Sequence, residues 1–315
     1  MSTVHEVAVS GFGEGTNDLY DRARPSYPSD ALQKIHDIIS ESSSEDGWKI
    51  LEPGSGTGIF SRLLIAPPTT SSGGPVPTPD QEEAGDDSFS NYPQFPIDTL
   101  ISIEPSEGMR NQWNRSLLSK LPPPSTDGKT IQTVPGSFDN FQAAQEYGVN
   151  KGEADAVIIA QAWHWCPDHE AALTEIASYL KPGAPLILIW NLEAFDPTWQ
   201  AEIREAYQKF DKGSPQYYKG WWKAMYDTKA YKELFQEKVE WKTRWSKGIT
   251  EDQLVDRLFS KSYLTSAHLS ASDRGELEGN LRGIIRSAPL EWVDKANGVF
   301  KYAYDTDIVY LRKKA

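Results

Sequence analysis

Hydrophobic and polar positions change period several times along this chain. Between Trp48 and Asn191, short apolar runs alternate with segments whose apolar residues recur at helical spacing. The runs predict strands at Lys49–Glu52, Thr99–Glu104, Thr130–Val134, Ala154–Ala160 and Pro185–Trp190. Helices are expected between them, near Ile59–Ile65, Glu107–Lys120, Phe138–Tyr147 and His169–Leu180, the last stopped by Lys181-Pro182-Gly183. That order implies an α/β fold with a doubly wound, mostly parallel sheet. Before it, Leu32, Ile35, Ile38 and Ile39 share one face of a helix that starts after Pro28.

The rhythm fails twice. Residues 67–97 are rich in Pro, Ser, Thr, Gly and acids and have almost no apolar period, so they predict a disordered surface insertion. After Asn191 a helix over Asp196–Phe210 leads into an aromatic patch holding Tyr217, Tyr218, Trp221, Trp222 and Tyr226. A strand over Glu240–Ser246 follows, then a capping box at Thr250-Glu-Asp-Gln253 and a helix to Phe259. A further helix over Ser270–Arg286 and a strand over Tyr302–Leu311 complete the pattern. The expected organisation is an N-terminal arm and helical lid (1–47), a core (48–192), a cap or substrate segment (193–248), and C-terminal helices with a last strand that completes the core (249–315).

The densest chemistry lies in Ile50-Leu-Glu-Pro-Gly-Ser-Gly-Thr-Gly-Ile-Phe60, a buried strand that enters a glycine turn and then a helix. Glycines at alternate positions let a ligand approach the backbone, and the helix start offers unpaired N–H groups. The spacing Gly54-x-Gly56-x-Gly58 departs from the G-x-G-x-x-G of dinucleotide turns. Glu52 just before the turn suits a cationic ligand better than a pyrophosphate. Glu104 closes the second strand, where a carboxylate accepts from ribose hydroxyls. Without the insertion, its distance from the turn falls to the expected value of about 20 residues.

At this point the chain resembles the class I S-adenosylmethionine-dependent methyltransferases of the small-molecule type, similar to the trans-aconitate methyltransferase relatives. The resemblance is carried, in order, by Tyr20-Asp-Arg-Ala-Arg-Pro-Ser-Tyr-Pro28, Leu51–Gly58, Ile103-Glu-Pro-Ser-Glu-Gly-Met109, Ala160-Gln-Ala-Trp-His-Trp165, Leu180-Lys-Pro-Gly183 and Ile189-Trp-Asn191. It implies a Rossmann-like core with an antiparallel last strand, a helical and aromatic cap, and S-adenosylmethionine as cofactor. It implies that Gly54, Ser55, Gly56 and Gly58 meet the methionine part and that Glu104 grips the ribose. Pro105, Met109, Ser137 and Phe138 would line the adenine side, with Asp139 just beyond. Ala160 and Gln161 would meet the methionine ammonium. Tyr20 and Arg24 would form a lid, with Arg24 able to pair with a carboxylate of cofactor or substrate.

His164 is the candidate general base, at the carboxyl end of the fourth strand and with an ordinary pKa in the working range. The alternative is a histidine that fixes a loop between two tryptophans. Trp163, Trp165, Tyr218 and Trp222 are candidates for the acceptor pocket, against simple core packing.

Charge and composition narrow the function further. A formal charge of −13 disfavours nucleic-acid and anionic-membrane partners. The single cysteine, Cys166, fits a reducing compartment, and the expected location is cytoplasmic. No Cys/His cluster suggests a metal site. The expected activity is methyl transfer to an oxygen, nitrogen or sulfur of a small organic acceptor. A non-catalytic cofactor-binding protein, a nicotinamide oxidoreductase and a macromolecular methyltransferase remain as alternatives. The aromatic content hints at an apolar acceptor and the resemblance at a small carboxylate.

Overall fold

The computed structural model describes residues 23–44, 47–65, 92–118 and 128–315. Five parallel strands form its centre: β1 (Trp48–Pro53), β2 (Ile97–Ile103), β3 (Thr130–Val134), β4 (Ala156–Ala160) and β5 (Pro185–Glu193). Three antiparallel strands extend the sheet: β6 (Val239–Ile249), β7 (Trp292–Asp294) and β8 (Val299–Arg312). The order is β3-β2-β1-β4-β5-β8-β6, with β7 paired to β8.

Alternation along the strands divides the core. In β5, Leu186, Leu188 and Trp190 face one cluster, while Ile187 and Ile189 face the other. The second face is covered by α1 (Ser29–Ser40) and α2 (Ile59–Ile65), whose Leu32, Ile35, Ile38, Ile39 and Phe60 are buried in it. The first is covered by α4 (His169–Tyr179) and α6 (Lys229–Leu234), while α3 (Glu107–Ser116) follows β2. A third cluster forms where the ends of β6 and β8 carry Trp245, Phe300, Tyr302 and Tyr304 past the parallel strands. There they meet α5 (Thr198–Gln208), α7 (Glu251–Phe259) and α8 (Ala271–Ser287).

Several expectations change in detail. Most of the insertion lies outside the described residues, but its expected end at 97 is too late. Tyr92, Phe95 and Ile97 are buried; Phe95 packs edge-on to Trp48, and the Tyr92 hydroxyl donates to the Tyr27 carbonyl at 2.5 Å. These apolar side chains fill space that α1 and β1 leave open. The helix expected over Phe138–Tyr147 is a short 3-10 segment, Gln142–Tyr147, because Ser137–Asn140 closes a tight turn first. The capping box forms as read, with Thr250 and Gln253 bonding reciprocally.

Candidate active site

The carboxyl ends of β1, β2, β4 and β5 open into one cavity of about 1100 Å³, where open α/β sheets bind ligands. Its near wall is the glycine turn and Glu104. Its far wall is built from Glu193, the C-terminal helices and the N-terminal segment that carries Arg24.

Glu104 joins the two strand ends. Its Oε2 accepts from Gly56 N at 3.0 Å and its Oε1 from Ser106 N at 2.9 Å. Burial pushes its carboxyl above the ordinary value, against these N–H donors and the Arg110 charge. Arg110 in turn donates to the carbonyls of Glu104 and Pro105 and fixes the turn after β2. Each carboxylate oxygen retains a lone pair for a ligand hydroxyl.

The three glycines do different work. A Cβ on Gly56 would reach no heavy atom closer than the Met109 sulfur at 3.7 Å, so this glycine faces open cavity. A Cβ on Gly54 would stand 2.6 Å from Ala162 Cβ and 3.3 Å from the Phe138 ring. A Cβ on Gly58 would stand 2.6 Å from Trp113 Cδ1. Gly58 does not line the cavity. Its expected contact with the methionine part is therefore corrected: it admits the Trp113 ring. All three have positive φ, so a side chain there is also strained.

Beneath the turn, Glu52 is fully buried yet borders the cavity. Its Oε2 accepts from Ser61 Oγ at 2.5 Å and Ser102 Oγ at 2.9 Å, and Trp113 Nε1 donates to Ser61 Oγ. Its Oε1 has no hydrogen-bond partner among the described residues. Burial raises its pKa to about 7. An orphaned acceptor at that place fits a cationic ligand group.

Ser55, Pro105, Met109, Ser137, Phe138, Ala160, Gln161 and Arg24 also line the cavity. Ser137 Oγ is turned to Asp139, and Asp139 itself does not border the space. Gln161 adopts a left-handed conformation at φ 57°, held by its Nε2 bond to the Asn191 carbonyl at 2.7 Å. Such outliers cluster at functional sites. Asn191 Nδ2 donates to the Ser26 carbonyl and anchors the segment bearing Arg24. Tyr20 lies outside the described residues.

Among the acceptor candidates, Trp165 and Tyr218 border the cavity, and the Tyr218 hydroxyl donates to Asp211. Trp163 and Trp222 do not. Trp163 is fully buried between Phe138 and His169, with its Nε1 on the Met225 sulfur at 3.0 Å. Trp222 packs 4.8 Å from Trp190 and stacks on Tyr217, which does reach the cavity. Both rings are too apolar and too enclosed to be left at a wall, and they buttress it from behind.

His164 lines the cavity, and its surroundings speak against the expected role as a base. Burial, aided by the Arg24 charge, lowers its pKa to about 3. Trp190 Nε1 donates to His164 Nδ1 at 3.3 Å, which puts the ring proton on Nε2. The side chain is a neutral donor.

The far wall escaped sequence reasoning. Arg204, Tyr207, Arg257, Lys261 and Tyr263 all border the cavity together with Glu193. Arg257 sits inside the run Leu254–Phe259, and a charge on the buried face of an amphipathic helix was the one available signal. Among the described residues no group of acids, histidines or cysteines is arranged for a metal ion, and no helix is long and apolar enough to cross a membrane.

A methyltransferase-domain family model matches residues 20–238. The chain belongs to the class I S-adenosylmethionine-dependent methyltransferases. An uncharacterized methyltransferase of Mycobacterium tuberculosis (strain H37Rv) is 24% identical over 244 residues, covering 78% of this chain and 74% of its own. One from Mycobacterium bovis matches at the same identity and coverage. A solved structure assigned as a type II methyltransferase from Anaeromyxobacter dehalogenans shares the fold, with a TM-score of 0.50, 18% identity, and 92% and 97% of the two chains covered. This methyltransferase is thus an enzyme with S-adenosylmethionine as its cofactor. The cavity fits that group: an open glycine at Gly56, a carboxylate with free lone pairs at Glu104, and an unfilled acceptor at Glu52.

Proposed function

We propose that this methyltransferase acts on an oxygen, nitrogen or sulfur atom of a small organic acceptor held in the same cavity as the cofactor, in the cytoplasm. The supporting observation is the size and continuity of that cavity, which exceeds the roughly 300–1,000 Å³ of a site for one small ligand. In this reading Glu104 holds the ribose hydroxyls, and Pro105, Met109, Ser137 and Phe138 flank the adenine. Gly54, Ser55, Gly56, Ala160 and Gln161 hold the methionine part by backbone groups, with Glu52 beneath its cationic end. The N-terminal segment with Arg24 and the segment bearing Tyr217 and Tyr218 close over the acceptor. The formal charge of −13 supports a small molecule over a nucleic acid.

S-adenosylmethionine supplies a methyl group on a sulfonium that leaves as a neutral thioether. The chain's own task is to align the acceptor and keep water out. His164 contributes its Nε2–H as a fixed donor that orients the acceptor and takes no proton.

Calorimetric titration with S-adenosylmethionine and S-adenosylhomocysteine tests the cofactor half. The wild type should bind both, and Glu104→Gln should bind at least ten times more weakly. Failure of the wild type to bind either would refute the assignment of the site. A methyl-transfer screen over small acceptors tests the other half.

A further inference from the structure

The far wall of the cavity carries charge that cofactor binding does not use. Arg257 is 3% exposed, and its Nη2 lies 3.4 Å from Glu193 Oε1. The Lys261 ammonium lies 2.9 Å from the same oxygen. The other Glu193 oxygen accepts from the Tyr207 hydroxyl. One carboxylate thus faces two cations. Arg204 stands beside them, but its guanidinium is spent on the carbonyls of Glu193, Ala194 and Phe195, none of which carries charge.

The decisive detail is that Arg257 Nε and Nη1 are buried without a hydrogen-bond partner among the described residues. Buried guanidinium donors left unfilled are costly and native proteins seldom keep them. The surplus of positive charge is walled off from solvent in a chain whose net charge is −13. The Tyr207 ring lies under the Lys261 ammonium with Tyr263 packed against it, and Trp165 and Tyr217 line the same cavity. Unfilled cationic donors in a cavity with aromatic walls make a receptor for an anion with an apolar body.

We propose that the acceptor is a small aromatic carboxylate, anchored through its carboxylate by Arg257 and Lys261, and that the methylated atom lies elsewhere on it. This rests on the methyl-transfer reading of the same cavity. A carboxylate held by two cations has its lone pairs engaged and is a poor nucleophile. The geometry agrees. The glycine turn at Gly54 is level with Ala160 of β4 and Ile189 of β5, and Glu193 lies two strands across and four residues further along β5, so about 16 Å separates anchor from cofactor cradle. The acceptor and the methyl-bearing end of the cofactor share that span, and the acceptor offers its far end. There a lone pair on oxygen, nitrogen or sulfur bonds to the methyl carbon as the sulfur–carbon bond breaks. The bonding pair stays on sulfur, and the acceptor's proton goes to water outside the cavity, before an oxygen or sulfur acceptor enters as its anion or after a methylated nitrogen leaves.

The test uses the wild type saturated with S-adenosylhomocysteine, titrated calorimetrically with benzoate, phenylacetate and 4-hydroxycinnamate and with their primary amides. At least one acid should bind ten times more tightly than its amide. Arg257→Met and Lys261→Met should erase that preference while S-adenosylhomocysteine affinity stays within twofold. Lys261→Met removes a buried charge at similar volume, so it serves where Arg257→Met does not fold. Acids that bind no better than amides, or a preference that survives in the folded variants, would overturn the anchor. Loss of S-adenosylhomocysteine binding by the wild type would instead overturn the reading of the cavity beneath it. A methylated 4-hydroxycinnamate that resists mild alkali supports the distal methylated atom; an alkali-labile ester refutes it.

Discussion

The Trp190 indole N–H donates to His164 Nδ1 at 3.3 Å, which leaves the imidazole only a proton to offer the cavity. A base needs an open lone pair and a pKa near the working pH. This ring has neither, since burial and Arg24 take its pKa down to about 3. Nitrogen-15 NMR should show a protonated Nε2 and a bare Nδ1, with no titration between pH 5 and 8. A titrating signal in that range would restore the base. His164→Gln keeps an N–H donor and should lose less activity than His164→Ala.

The glycine turn predicts a separation of stability from binding. Gly58→Ala drives a methyl into Trp113 at a φ of 87°, which is expected to cost about 2–4 kcal/mol of stability. Chemical denaturation should register that loss, while the folded fraction keeps its affinity for S-adenosylhomocysteine. Gly56→Ala meets only open space within the protein, so it should cost about 1–2 kcal/mol of stability from its φ of 58° alone. Its larger effect should fall on cofactor binding. Equal effects of both changes on affinity would contradict this division.

Glu52 gives a pH signature. Its pKa is raised from 4.5 to about 7 by burial, so its protonated form favours the fold. That contribution is complete below pH 4.5 and is lost as pH rises to 7, about 3 kcal/mol in all. Glu52→Gln keeps an acceptor for Ser61 and Ser102 and cannot ionise. Measured by urea unfolding from pH 4.5 to 8, the variant should therefore gain on the wild type as pH rises. Parallel curves would show that Glu52 ionises freely in the fold.

Glu193 behaves oppositely. Burial alone would raise its carboxyl, but the Lys261 and Arg257 charges and the Tyr207 hydroxyl hold it well below the usual carboxylate range. Its contribution is present above pH 4.5 and is lost as pH falls through the depressed value. Glu193→Gln strands two buried cations and should cost about 3–5 kcal/mol at pH 7. An added aromatic carboxylate should recover part of that loss in thermal unfolding, since it supplies the missing charge.

Lys261 sets the pH range of acceptor binding. Burial lowers its pKa to about 7, with Arg257 and Arg24 adding to the effect and Glu193 opposing it. A bound carboxylate stabilises the ammonium, so binding above pH 7 must take up a proton. Carboxylate affinity should fall as pH rises from 7 to 9, and in Lys261→Met it should be flat. Tyr207 also faces the ammonium, 4.6 Å from its ring centre. Burial pushes its hydroxyl well above its ordinary value, which keeps it un-ionised over this range.

Local pattern determined the parts of this protein that local physics controls. Short apolar runs set between segments of helical spacing marked all five parallel strands, and reciprocal bonding within four residues marked the Thr250–Gln253 cap. The glycine turn and Glu104 were legible because strand, turn and carboxylate are each set by short stretches of chain. Tertiary structure alone decided which glycine has open space before it, since Ala162 and Trp113 approach Gly54 and Gly58 from residues far along the chain. It also decided that His164 meets Trp190, and that Arg257 and Lys261 converge on Glu193 across more than 60 residues. A side chain's proton affinity and its partners depend on what packs against it, and spacing within a segment carries no record of that.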